Sequence, residues 1–267
     1  MGGCRKRYKI IVLILNILIL SLVFVPLTHA EEDIHETDIE LGKKVYNIRC
    51  EICHGSKGDG KGLVGVIRRV EKSGREQVIY PWDLTQGVFR FRTTPSGCLP
   101  DEEDLLGIIS NGIPISLMPS HKHIPLKERN AIIKYMKTFS DRWEEEEEEE
   151  EFCQPITVKK PEWVGSPFSV IKGETLYKKM KCWECHGHEG KGDGPKAKDL
   201  KDDWGRIMPP FDFTSGELKR GSSPESIYIT FTTGLDGTGM PSYEDALKEE
   251  DRWYLVSYTL KLMKKIK

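Results

Sequence analysis

Two stretches carry the chemistry. Residues 50–60 read CEICHGSKGDG, and residues 182–194 read CWECHGHEGKGDG. Each opens on Cys-x-x-Cys-His-Gly and ends on Gly-Asp-Gly. A redox dithiol of the thioredoxin kind wants a strand ahead of the motif in a βαβ setting, and the residues ahead of both copies read as helix. Zinc would take two thiolates from each motif but gives no role to the His that follows directly in both. Iron–sulfur clusters use four Cys at other spacings. Covalent haem attachment uses all three residues. The thiols of Cys50 and Cys53, and those of Cys182 and Cys185, add to the two vinyl groups at one edge of a porphyrin. His54 or His186 then swings under the iron as proximal ligand. Two such matches in one chain predict two covalently attached haem c groups.

A proximal His leaves one axial position, and its occupant separates a carrier from an enzyme. A thioether takes up no proton, holds the iron six-coordinate and raises the potential relative to a second imidazole. An open position permits peroxide or oxygen chemistry. Met118, before Pro119-Ser120, and Met240, before Pro241-Ser242, are the candidates. Met is often mere core filler, but these two occupy equivalent places between a Gly-bearing turn and the last helical segment of each half. Met208, in RIMPPFD, competes at the second site, although its counterpart near Ile79 has no ligating atom. His121 and His123 compete with Met118 at the first. Met136 and Met180 lie inside helical patterns and read as core, and His188 reads as a surface residue beside the second motif. The glycines of GSKGDGKG and GHEGKGDGP do not make a phosphate loop, because no Gly-Lys-Ser/Thr follows and no strand precedes. They let the backbone turn closely around the porphyrin edge.

The elements that must position these groups repeat as well. Gly42-Lys-Lys-Val-Tyr46 precedes Cys50 and Gly173-Glu-Thr-Leu-Tyr177 precedes Cys182, with one residue inserted in the second copy; both read as amphipathic helix. Pro81-Trp82-Asp83-Leu84-Thr85 is answered by Pro210-Phe211-Asp212-Phe213-Thr214. LLGIISNG at 105–112 is answered by IYITFTTG at 227–234. Residues 129–139 and 251–262 both have helical period.

Each half therefore resembles a class I cytochrome c domain, on the strength of CEICHG with MPS at 118–120 and CWECHG with MPS at 240–242. The resemblance spans roughly residues 36–140 and 168–267. It implies a mainly α fold, a tandem repeat of two class I cytochrome c domains with one covalent haem c each. In each, a first helix carries the motif, a last helix crosses it, and a loop brings Met to the far side of the iron. It also implies that a Pro carbonyl, of Pro81 and of Pro210 (with Pro209 a close rival), accepts from the proximal His. Tyr46 and Tyr177 then pack near the haem, with Trp82 and Phe211 behind them, or serve as plain core. Arg90, Arg92 and Arg206 face haem propionates or solvent.

The family transfers electrons and has no substrate of its own. The implied partners are redox proteins, with molybdenum-containing oxidoreductases and quinol-oxidising complexes as examples. The alternative is a dihaem peroxidase, in which one iron loses its Met or carries a displaceable His and reduces hydrogen peroxide. The matching Met in both halves speaks against it.

The rest of the chain bounds this reading. Residues 1–30 read as an export signal: Arg5, Lys6, Arg7 and Lys9, then a mostly aliphatic run from Ile10 to Leu27, then Thr28-His29-Ala30 with small residues at the cut site. The rival is a retained N-terminal anchor, since about 18 apolar residues just span a bilayer. Losing the segment moves the formal charge from −2 to −6, and nothing concentrates Lys or Arg into a nucleic-acid footprint. The chain is thus expected outside the cytoplasm, in a periplasm or equivalent compartment. Cys98 and Cys153 lie outside both motifs and either pair with each other or stay apart as buried thiols. Eight consecutive glutamates, 144–151, read as a solvated linker or as a patch for a basic partner. The expected organisation is a first domain over 31–143, an acidic, Pro-containing linker over 144–167, and a second domain over 168–267. Two insertions enlarge the first copy, 65–80 and 90–101; each reads as a surface loop or a partner contact.

Overall fold

The structure is a computed structural model that describes residues 27–70, 76–145 and 153–266. The predicted signal up to residue 26 and the glutamates 146–151 lie outside the described residues. No helix among the described residues is long and apolar enough to cross a membrane.

The fold is mainly helical. In the first half, α1 (Leu27–Arg49) leads into the short α2 (Glu51–His54). A two-stranded antiparallel hairpin follows, β1 (Ile67–Val70) with β2 (Glu76–Ile79), Ile67 opposite Ile79. Then come α3 (Glu102–Asn111), α4 (Leu126–Lys137) and a single turn, α5 (Arg142–Glu145). The second half runs α6 (Pro167–Lys179), α7 (Trp183–His186), α8 (Pro224–Thr233) and α9 (Glu249–Leu262), with no hairpin among its described residues.

Local chemistry sets the helix ends. Asp101 accepts from Glu103 N–H at 2.8 Å and starts α3. Ser166 and Ser223 cap α6 and α8 through Ser169 N–H and Ser226 N–H, each with Pro in the first turn. Side-chain acceptors satisfy donors that a helix start leaves open, and Pro has no N–H to lose there. Gly112 and Gly234 end α3 and α8 at φ 68° and 67°. A side chain at either would strike the Met-Pro segment that follows, the Met118 carbonyl in one and the Pro241 backbone in the other.

Each half buries its own core. Val45, Tyr46, Leu105, Ile109, Ile132 and Ile133 fill the first, and Tyr177, Tyr228, Phe231, Trp253, Leu255 and Val256 fill the second. The first and last helices of each half cross at a glycine. A Cβ on Gly42 would land in the Ala131 carbonyl of α4, and one on Gly173 in the Tyr254 carbonyl of α9. This backbone-to-backbone approach explains the repeated Gly-x-x-x-Tyr. The extra residue of the second copy is taken up by Lys181, which adopts φ 58° directly before Cys182.

The insertion at 90–101 is not a free surface loop. It docks on the second half. Arg92, fully buried, pairs with Asp236 at 2.8 Å and donates to the Thr233 carbonyl at 3.0 Å. Ser96 Oγ and Gly97 N–H both donate to Asp236. Cys98 and Cys153 are joined as a disulfide across 55 residues. Closing a loop of that length is worth on the order of 4 kcal/mol in the chain-entropy account.

Candidate functional site

Both Cys-x-x-Cys-His segments fold alike. His54 N–H donates to the Cys50 carbonyl at 2.9 Å, and His186 N–H to that of Cys182 at 2.9 Å. The chain then turns back, so that Gly60 N–H meets the His54 carbonyl at 2.8 Å and Gly192 N–H meets that of His186 at 2.9 Å. The two tyrosines clamp the turn. Tyr46 Oη donates to the Gly55 carbonyl at 2.8 Å, and Tyr177 Oη to that of Gly187 at 2.6 Å.

In the second half these groups surround one cavity of about 240 Å³. Cys182, Cys185, His186, Met240, Tyr177 and Pro210 all contribute to its wall. Close-packed interiors hold few voids larger than a water, so a space this size, walled mostly by apolar atoms, is built to hold something. His186 stacks on Phe213 with ring centroids 4.6 Å apart. Burial pushes its pKa down to about 4, so the imidazole is neutral at pH 7 and has a lone pair for a metal. Burial also pushes the Cys50 and Cys182 thiols up to about 11. Reactive redox dithiols show the opposite, a stabilised thiolate. Among the described residues no three His, Cys, Asp or Glu side chains converge as a metal cage. The donor set of the second cavity, two thiols at one edge, a neutral imidazole and a thioether, fits covalent haem.

Met118 and Met240 are held by the same latch. Ile113 and Leu235 each donate N–H to the Met carbonyl at 3.0 Å. The Ser two residues on, Ser120 or Ser242, donates to the Ser110 or Thr232 carbonyl at 2.6 Å. An arginine of the last helix braces the loop beyond. Arg129 Nε donates to the Ile124 carbonyl at 3.0 Å, and Arg252 Nη1 to those of Glu244 and Leu247. Neither arginine stood out in the motif reading; their matching places three residues into the last helix of each copy were the available signal.

The partner of the proximal His is displaced from expectation. His54 Nδ1 lies 3.2 Å from the Trp82 carbonyl, not that of Pro81. The Pro81 carbonyl is turned instead onto Gly60, where a Cβ would come within 2.7 Å of it. In the second half Phe211, not Pro210, is the backbone facing His186, though Nδ1 stops short of hydrogen-bond geometry and has no partner among the described residues.

The competing ligands are placed as well. Met208 also reaches the second cavity, but its Sδ lies 3.6 Å from Arg90 Nη1. His121 Nδ1 is buried and without a partner among the described residues. It lies near enough to His54 to lower that imidazole's pKa, after burial. His123 lies beside His121 at 6.1 Å. His188 is exposed and stacks on Trp183 at 4.8 Å. Met136 and Met180 pack against the cores. Arg206 lies over the Tyr80 ring at 5.2 Å.

Residues 170–262 match the family model described as cytochrome c, and residues 37–136 match the one described as cytochrome c oxidase, cbb3-type, subunit III. A search of curated proteins finds no match. A chain of the Kuenenia stuttgartiensis reducing HAO-like protein complex is 38% identical, with a TM-score of 0.72, over 84% of this chain and 96% of that one. With that likeness over most of its length and both halves matched by cytochrome families, the chain belongs to a family of two-domain, cytochrome-c-type electron-transfer proteins.

Proposed function

We propose that this chain carries two haem c groups, on Cys50, Cys53 and His54 with Met118, and on Cys182, Cys185 and His186 with Met240. It passes electrons as a subunit of a respiratory complex, with no catalytic activity of its own. The observation that carries this reading is the second cavity, where both attachment thiols, the neutral imidazole and Met240 share one apolar wall.

Bound haem supplies a one-electron Fe(III)/Fe(II) couple. The protein's part is to hold and to exclude. Phe213 and the cavity wall keep water from His186. Trp82 fixes the orientation of His54. The Ser120 and Ser242 latches hold each Met loop against α3 or α8, so that neither side chain must reorganise when charge changes.

The relative's setting directs the search for a partner to an HAO-like protein complex before molybdenum-containing or quinol-oxidising ones. Export to a non-cytoplasmic compartment is supported by the Cys98–Cys153 disulfide, a bond that reducing cytoplasm opposes.

The test is the mass and spectrum of the full chain produced with haem-attachment machinery. The expected result is chain plus two porphyrins, with thioether-to-iron charge-transfer bands from both halves. A mass of chain plus one porphyrin, or of bare chain, sinks the reading. One observation favours a second reading: His121, with its unpartnered Nδ1 beside His54, is the group a peroxidase would use as a displaceable ligand. High-spin iron in the first half with peroxide turnover selects that reading.

A further inference from the structure

The wall of the second cavity is not made by the second half alone. Arg90 and Phe91, from the insertion of the first half, line it. Arg90 crosses over with its guanidinium stacked 4.0 Å above Trp82, and Nη2 meets the fully buried Asp202 carboxylate at 3.1 Å. Its Nε is buried and has no hydrogen-bond partner among the described residues. Arg220 lines the same cavity. It belongs to the second half but is fastened to the first, donating to the Arg92 carbonyl and lying 3.8 Å from Asp104. Burial lowers both guanidiniums to about 10, with Asp202 and Asp104 opposing, and both stay charged at neutral pH.

A mostly apolar cavity therefore carries two guanidiniums on its wall, with Lys181 and Lys219 beside them. Asp202 takes one edge of Arg90, and Asp104 sits beyond hydrogen-bond reach of Arg220. Buried cations need anionic partners, and a planar guanidinium with a donor to spare suits a carboxylate.

We propose that Arg90 and Arg220 form a carboxylate site built across the two halves, which binds the acidic side groups of the cofactor in the second cavity. Filling that cavity and docking the halves are then one linked process. This rests on the haem reading above, since porphyrin propionates are the carboxylates in question. The first half is thus a structural part of the second site, and the second haem's environment depends on residues 90–104.

The test uses the full haem-loaded chain and reads the midpoint potential of each haem by spectroelectrochemical titration. The second haem is identified as the one whose band M240A removes. In R90Q and in R220Q, both haems are expected to stay attached. The potential of the second falls, because losing a buried cation favours ferric iron, and it falls by more than that of the first, whose His54 meets the Trp82 carbonyl beneath Arg90. R68Q, which removes the same charge from the exposed face of the hairpin, is expected to shift neither. R90K, which keeps the charge, restores most of the shift. If one glutamine variant does not fold, the potentials of the other decide. Unchanged second potentials in R90Q and R220Q, or equal shifts of both haems, overturn the proposal. A wild-type chain with no porphyrin on Cys182 and Cys185 overturns the haem reading instead, before any variant is compared.

Discussion

Met240 and Met208 both reach the second cavity, and their surroundings tell them apart. Met240 hangs on a backbone latch that the first half repeats at Met118, whereas the Met208 sulfur faces the Arg90 guanidinium. M240A is expected to abolish one of the two thioether charge-transfer bands and lower that haem's potential, since a thioether ligand raises it. M208A is expected to keep both bands; their loss in M208A would reassign the ligand. The Cys-x-x-Cys-His segments were legible because thiols and imidazole sit at one fixed spacing within a single short motif. The acceptor for His54 was not. Whether Pro81 or Trp82 turns its carbonyl inward depends on a close approach to Gly60 across the fold, and no local pattern encodes that.

Among the elements, the helix crossings have the least tolerance. Gly173 meets α9 backbone to backbone, with no room for a methyl group. G173A is expected to cost about 1–3 kcal/mol through overpacking, seen as a lower thermal midpoint with both haems still attached. An unchanged midpoint would mean that the crossing is loose. The repeated glycine was visible in the sequence, but its purpose was not, because the residue it spares, Tyr254, lies 81 positions on. The hairpin was not expected at all. Its strands are four residues each and carry Arg68, Arg69 and Glu76. They are too short and too polar for an alternating pattern to stand out, and the Arg69 Nε to Gln77 Oε1 bond across them, at 2.7 Å, appears only in three dimensions.

At the scale of the whole molecule, the halves are joined by chemistry that the repeat pattern hid, because it lies where the copies differ. Arg92 donates to the carbonyls of Phe89, Pro95 and Thr233 and pairs with Asp236. R92M leaves those acceptors buried without their donor, and is expected to lower stability by about 3 kcal/mol, measured by denaturant unfolding. A loss below about 1 kcal/mol would show that water replaces the guanidinium.

The segments that flank the acidic run are described on both sides. Both of its ends are secured to the same half. On one side Arg142 donates to the Gly87 and Gly97 carbonyls, and on the other Cys153 is bonded to Cys98 and Ile156 N–H meets the Thr93 carbonyl at 2.8 Å. Only farther on, at Trp163 against Tyr254 and Gly165 on Ser257, does the chain join its second half. Deleting four of the eight glutamates is therefore expected to leave the melting profile and both potentials unaltered; a shift in either would show the run to be a spacer. With both flanks fastened to the first half, the alignment of the two halves rests on direct contacts such as Arg92 with Asp236 and Arg90 with Asp202.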